Sequence, residues 1–469
     1  MQIKIALPKG RLQETTAALL HKANWGLEDY HEKARFYQPK SQKLPSLFVK
    51  VFHEKDIPIQ VAVGNYDLGI CGLDWVEELL AKYPSSALVK VKDLGYGENT
   101  LYMAASLSQG VPGVEQIRTK SDIIEIASEY PNLAESFALR SRLSRFSIFP
   151  VWGGAEAYPP ESADLALIAG STETQLNSRG LTPVSKVLDS SAFLVANRNS
   201  WKSRDLGEVV ASICDGLPVN EEKPMASVTR ACQVTEPHFV GEKDEGMVRM
   251  ALPDGHQQVP TAQLLNKAGI TFNDYPSAAG NRRPAVNLQG VVVKVIRPQD
   301  MPLQVANGNF DVAITGRDWL KEHLYQFPSS PVRELLDLKF GKVKIVAVVS
   351  QELPSDVSGL RGLAAERSEP LRVASEYTNI ADKYARDNHL GPYRVVPTWG
   401  ATEAFLPEDA DLLIENTETG RTIARHKLKI ISTLFESTAC LIGNANGKSG
   451  KNEKIKSITK ILQTALEGA

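Results

Sequence analysis

KDIPIQVAVGNYDLGICGLDWVEE, residues 55 to 78, returns at 299 to 322 as QDMPLQVANGNFDVAITGRDWLKE. A stretch this long written twice makes the chain a tandem repeat, and the repeat governs how every other motif is read. Each version carries an Asp-x-Pro helix start, a short apolar strand and a second helix. Working outward, IASEYPNLAESFA (126 to 138) returns as VASEYTNIADKYA (373 to 385). VWGGAEAYPPESADLALI (151 to 168) returns as TWGATEAFLPEDADLLIE (398 to 415), and KIALPKGRLQETTAALLHKA (4 to 23) as RMALPDGHQQVPTAQLLNKA (249 to 268). The order is kept throughout. The polar, charged run TEPHFVGEKDEG (235 to 246) reads as a linker, which sets the copies at 1–240 and 247–469.

Within a copy the rhythm is strand, helix, strand, helix. IKIAL is a strand, and GRLQETTAALLHKA is a helix with Leu12, Leu19 and Leu20 at core spacing. Asp56 is expected as the N-cap of the next helix, with Pro58 in its first turn. This alternation predicts an α/β fold with mostly parallel sheets. About 220 residues per copy suffice for two lobes with a cleft between them.

Composition narrows the function. With 42% hydrophobic and 23% charged residues the chain is of soluble globular type, and a formal charge of −2 gives no general attraction to nucleic acid or anionic membrane. The N-terminal apolar run is too short for a signal peptide, and no stretch reaches a membrane span, so a cytosolic location is expected. Cys71, Cys214, Cys232 and Cys440 are scattered without a CxxC pair, which points to neither a disulfide framework nor a zinc site. No Walker A, GxSxG or HExxH pattern occurs, and GYGENT (95 to 100) reads as a turn.

Anion binding must then come from local sites. PKGRL (8 to 12) places Lys9 and Arg11 around Gly10 where a strand meets a helix, and backbone amides there can meet a phosphate. The second copy has PDGH at that place, and Asp254 is expected to repel an anion. ENTETGRTIARHKL (415 to 428) offers more. Thr419, Gly420, Arg421 and Thr422 supply a glycine for close approach, two hydroxyls and helix-start amides, a cup for a phosphate monoester. Glu415 and Glu418 supply acceptors for sugar hydroxyls or a magnesium ion. The bland alternative is a capped helix with a solvated acidic first turn. In the first copy the aligned residues are Thr172, Glu173, Thr174 and Gln175, so a carboxylate stands where the phosphate would sit.

Taken together, these elements resemble the ATP phosphoribosyltransferase family. The resemblance rests on Leu7 to Leu12, Asp56 to Pro58, Asp67 to Asp74, IASEYP, Gly153 and Glu156 in the first copy. In the second it rests on Asp311 to Asp318 in part, Gly400, Glu403 and the cup, with Glu415 where the family has aspartate. It implies a two-lobed, type II periplasmic-binding-protein-like fold in each copy, with one lobe discontinuous. It also implies the first reaction of histidine biosynthesis: N1 of ATP joins C1 of 5-phosphoribosyl-1-pyrophosphate (PRPP), with Mg2+, and pyrophosphate leaves. Under that reading Glu403, Glu415, Glu418, Thr419, Gly420, Arg421, Thr422, Thr315 and Gly316 are the substrate-binding candidates. Lys9, Arg11 and Arg35 are the catalytic ones, with Arg35 in EKARFY expected to reach a neighbouring cleft and complete one composite site per chain. No third, histidine-sensing domain fits after Leu428. The partner is left open between a second copy of the chain and a separate regulatory subunit. A regulatory paralogue that binds a nucleotide or phosphosugar without turnover is the rival reading, and an exported solute-binding protein is disfavoured by the missing export signal.

Overall fold

The computed structural model describes residues 2–31, 37–109, 117, 122–170, 172–217, 246–278, 280–446 and 449–467. The linker up to Glu245, Cys232 and Arg35 lie outside them. The chain forms two compact units. Unit 1 holds Met1–Pro150 and Ala163–Gly241, and unit 2 holds Glu242–Ala469 together with Val151–Ser162. The second unit therefore contains a piece of the first copy.

In unit 1 the first lobe is a five-stranded sheet in the order Leu47–His53, Ile3–Lys9, Leu68–Gly72, Ala192–Asn197, Leu88–Asp93. The first three strands are parallel, and Ala192–Asn197 returns from the end of the copy to pair antiparallel on both sides. The second lobe repeats the pattern with Phe146–Pro150, Ile124–Ser128, Leu165–Gly170, Asn99–Ser106 and Leu181–Ser190. Unit 2 has the same two sheets, with Ala439–Asn444 as the returning strand of its first lobe. This is the α/β, type II periplasmic-binding-protein-like architecture, in tandem, with the discontinuous lobe made from the start and end of each copy.

The sequence explains the centre of each sheet. LGICG (68–72) and VAITG (312–316) are buried at every position, as strands covered on both faces must be. Leu19 and Leu20 of helix Gln13–Lys22, with Leu12 at its N-cap, join the core of the first lobe together with Ile5, Leu7 and Ile70. Each such side chain contributes about 1.5–3 kcal/mol of burial. One local expectation fails. Asp56 occupies the N-cap position of helix Ile57–Ala62 but makes no capping bond, because its backbone is already helical (φ −78°, ψ −29°) and the carboxylate is not laid over the free amides. Its counterpart Asp300 accepts the amide of Trp152 instead, at 3.1 Å to each oxygen.

The two lobes of a unit are joined by carboxylates. Glu322 leaves the helix Arg317–Gln326 of the first lobe and accepts the amides of Asn379 (2.8 Å) and Ile380 (2.9 Å) at the start of helix Thr378–Asp387 in the second. Glu78 does the same for Asn132 and Leu133 in unit 1, at 2.9 Å each. A carboxylate on free helix-start amides satisfies orphan donors and favours the local dipole. Burial raises the pKa of both glutamates despite these bonds.

Candidate active site

The cup of the second copy lies between strand Leu412–Thr417 and the short helix Arg421–Arg425, whose Ile423 is the buried anchor. Gly420 is left-handed (φ +71°), a conformation that costs an L side chain strain, and nothing lies within 4 Å of where its Cβ would be. Its amide donates to Thr417 Oγ1 at 2.9 Å. Gly420 offers no capping side chain to the helix that follows, and the first helix amide, Arg421 N, makes only a long bond to Thr419 Oγ1 at 3.5 Å. Thr419, Arg421 and Thr422 are exposed around that opening, as is Glu418.

The first copy shows the bland alternative in place. Thr172 has extended backbone and its Oγ1 accepts the Gln175 amide at 3.2 Å, an ordinary N-cap for helix Glu173–Ser178. Glu173 stands in the position of Gly420. The same repeat element thus ends as an open cup in one copy and as a self-capped helix in the other.

Three carboxylates gather behind the cup. Burial, reinforced by the charges of Glu376 and Glu403, pushes the pKa of Glu415 well above the usual carboxylate range. Burial and the charge of Glu403 push Glu376 up to about 7. Glu415 receives the amide of Asn416 at 2.9 Å. In the first copy this arrangement is dismantled. Ile168 replaces Glu415, and the counterpart of Glu376, Glu129, pairs with Lys55 at 3.1 Å where the second copy has Gln299.

Thr315 and Gly316 close the strand that leads to Asp318. The Thr315 hydroxyl is buried and donates to the Pro298 carbonyl at 2.8 Å, so its proton is engaged in the fold. Gly316 is required for space, because a Cβ there would fall 2.1 Å from Asp318 Oδ1. Asp318 reaches the second lobe by accepting the Tyr377 hydroxyl at 2.6 Å, and the Tyr377 ring stacks on Trp319 at 4.3 Å.

Lys9 and Arg11 are in unit 1. Lys9 Nζ donates to Tyr37 Oη at 3.1 Å and lies over that ring at 4.8 Å. The Arg11 guanidinium is engaged, donating to Glu54 Oε2 (3.1 Å) and the Gly97 carbonyl (2.8 Å). Arg35 lies outside the described residues.

The Asp254 position departs from the expected repulsion. Asp254 is clamped by Arg282 (2.7 Å) and Arg297 (3.3 Å), so its charge is balanced rather than exposed to an incoming anion. Arg282 also donates to Glu156, and Lys294 and Arg283 both hold Glu161, at 2.7 Å each. Burial works against the charge on Arg282, but Glu156 and Asp254 outweigh it and raise its pKa. Glu161, despite burial, is drawn down to about 2 by Arg283 and Lys294. Gly153 and Gly154 let this happen, since a Cβ would lie 2.8 Å from Arg297 Nε and 3.1 Å from an Arg282 nitrogen. The Gly-x-x-Glu element of the first copy is thus consumed in ion pairs within unit 2. Single-copy motif reading missed Arg282, Arg297 and Lys294. The signal was in the alignment of the copies, where Lys9, Tyr37 and His53 become Asp254, Arg282 and Arg297, an acid introduced together with two arginines.

A hollow of about 500 Å³ bounded in part by Leu303, His323, Phe327 and Ser330 contains none of these residues. Among the described residues no helix is long and apolar enough to cross a membrane, and no group of three or more His, Cys, Asp or Glu side chains could hold a metal ion.

Fold and site together define a duplicated, two-lobed α/β protein with an open glycine turn at a helix start in the second copy. A family model described as HisG, ATP phosphoribosyltransferase, matches residues 53–217 and again 297–464, once in each copy. The ATP phosphoribosyltransferase of Prosthecochloris aestuarii is 32% identical over 228 residues, covering 47% of this chain and 72% of that protein. That of Pelotomaculum thermopropionicum is 30% identical over 227 residues, covering 47% and 73%. Among solved structures, the ATP phosphoribosyl transferase (HisG:HisZ) complex from Thermotoga maritima aligns with a TM-score of 0.39 at 21% identity, over 48% of this chain and all of that one. The alkanesulfonate-binding protein SsuA from Xanthomonas axonopodis pv. citri aligns with a TM-score of 0.31 at 14% identity, over 46% and 72%. The chain belongs to the ATP phosphoribosyltransferase family. It is an enzyme of the first step of histidine biosynthesis, transferring a phosphoribosyl group to ATP.

Proposed function

We propose that this transfer takes place in one cleft per chain, that of the second copy, with PRPP seated in the Thr419–Thr422 cup. The observation that supports it is the contrast at one repeat position: Gly420, left-handed and open, against Glu173 beside the self-capping Thr172. The 5-phosphate meets the helix-start amides, displacing the long Arg421 N to Thr419 Oγ1 bond, and the Thr419 and Thr422 hydroxyls. The ribose hydroxyls meet Glu415 and Glu403, whose carboxyl oxygens accept hydrogen bonds. The adenine N1 lone pair then forms the N1–C1 bond as the C1–O bond to pyrophosphate breaks. The leaving group takes the bonding pair and no proton is transferred, so no general base is needed. Alignment of the two substrates supplies much of the acceleration.

Magnesium is expected with the substrates, neutralising the departing pyrophosphate. Burial and mutual repulsion favour the protonated forms of Glu376 and Glu415, and a cation bound beside them would favour their charged forms. Titration calorimetry with PRPP and magnesium tests the reading: about one PRPP per chain is expected, and two equivalent sites would overturn it.

A further inference from the structure

One hydrogen-bonded chain of side chains runs from the first lobe of unit 2 to the edge of the cup, and among the described residues of the first copy only its beginning has an equivalent. It begins at Ser437, whose hydroxyl donates to Asp318 Oδ1 at 2.7 Å. The other oxygen of Asp318 accepts the Tyr377 hydroxyl at 2.6 Å, which carries the chain across the cleft between lobes. Tyr377 Oη in turn accepts from Asn416 Nδ2 at 3.1 Å. Asn416 sits on strand Leu412–Thr417 between Glu415, which accepts its backbone amide, and Thr417, which accepts the amide of Gly420.

The first copy keeps the beginning of this chain and lacks its end. Tyr130 donates to Asp74 at 3.1 Å and stacks on Trp75 at 4.2 Å, as Tyr377 does on Trp319. At the position of Asn416, however, stands Ala169, which has no group to offer Tyr130. The tyrosine–aspartate bond is therefore a lobe-joining feature of both copies. Its extension to the strand that carries the cup belongs to the second copy alone.

We propose that Asn416 is a positioning residue for PRPP, holding Glu415 and the Thr417–Gly420 turn in register with the first lobe through Tyr377 and Asp318. The inference rests on the assignment of PRPP to this cup. Tyr377 is buried and its hydroxyl is oriented by Asp318, so the acceptor lone pair it presents to Asn416 has a fixed direction. Loss of the Asn416 carboxamide removes the tie to Tyr377 and leaves the end of the strand held only by its ladder to Val343–Ser350. The loss falls on PRPP, whose ribose hydroxyls and phosphate meet residues on either side of Asn416.

The test uses the full chain in five variants, with steady-state kinetics and PRPP calorimetry. Asn416→Ala should raise KM for PRPP and weaken its binding by about 5- to 10-fold, the size of one hydrogen bond. Its kcat and its KM for ATP should stay within about twofold of the parent. Tyr377→Phe, which removes only a hydroxyl, should give the same PRPP shift, and the double variant should be no worse than either single one, because the two groups act in series. Tyr130→Phe cuts the matching bond in the first copy and should leave PRPP affinity unchanged. Unchanged PRPP affinity in Asn416→Ala, additive losses in the double variant, or an equal shift in Tyr130→Phe would each overturn the inference. Gly420→Glu separates it from the reading beneath it. If that variant still binds PRPP, the cup assignment falls and the relay with it. If it loses PRPP while Asn416→Ala titrates like the parent, the relay alone falls.

Discussion

Arg282 donates from Nε to the carboxylate of Glu156 at 3.1 Å, and the two residues come from different copies of the repeat. Glu156 and Glu403 are the same position of the duplicated Gly-x-x-Glu element, yet they have different tasks. Glu403 lies with Glu376 and Glu415 behind the cup, whereas Glu156 is neutralised by an arginine that also holds Asp254. One position of the repeat thus lies in a carboxylate cluster in the second copy and in an ion pair in the first.

The pair is separable by mutation. Glu156→Gln should cost about 1–2 kcal/mol of stability, since both side chains are mostly buried and Arg282 keeps Asp254 as a partner. PRPP affinity should not change. Glu403→Gln should do the reverse, weakening PRPP at least about tenfold with little effect on the melting temperature. Calorimetric melts and PRPP titrations on both variants check the assignment, and equal PRPP losses would contradict it.

Gly420→Glu writes the first copy's residue into the second. The left-handed backbone adds about 1–3 kcal/mol of local strain, and the new carboxylate faces the anion. Turnover should be lost with the fold intact by circular dichroism. Retained activity would place the reaction elsewhere.

Lys294 is 5% exposed, and its counter-ion Glu161 comes from the first copy's segment in unit 2. Burial and the charge of Arg283 already lower its pKa to about 8. Removing the partner by Glu161→Gln should destabilise the chain by about 2–3 kcal/mol, because a buried ammonium loses its compensation. Adding Lys294→Met should recover much of that loss. Urea denaturation midpoints provide the measurement, and a double variant as weak as the single one would show that the charge is not the cause.

Glu376 makes stability depend on pH. Its native pKa of about 7 exceeds the ordinary 4.5, so between these values the native state holds a proton the unfolded chain has released. The corresponding stability is present below about pH 4.5 and is lost as pH rises through about 7. Gln299→Lys, which restores the first copy's Lys55–Glu129 arrangement, should flatten that fall. Melting temperatures of parent and variant across pH 4.5–8 decide it, and parallel curves would rule out Glu376 as the source.

A transfer without a general base predicts a further pattern. Chelation of magnesium should stop turnover, and replacing any one of the eight histidines should leave the plateau of rate against pH in place. A variant in which one histidine change removes that plateau would show that a base takes part.

The repeat, the α/β alternation and the open backbone turn at Gly420 could be read from the chain because each depends on local pattern. Apolar runs bounded by helix starts make buried strands, and a glycine in Thr-Gly-Arg-Thr marks a backbone turn that a glutamate resists. The two ends of Asp254's clamp were not legible in either copy's motifs, because a charge has no meaning until its neighbours are known. Asp254 read as a repulsive site in isolation, and Arg282 and Arg297 make it a balanced one. Asp56 looked like an N-cap until its backbone angles removed it from the helix amides. The Asn416–Tyr377–Asp318 chain joins residues far apart in sequence that meet only where two lobes close on each other. Sequence determined the elements and the residue types available to the cleft. The tertiary structure decided which charges are compensated and which hydroxyls are already engaged, since hydrogen bonds and ion pairs act over a few ångströms and chain order does not encode those distances.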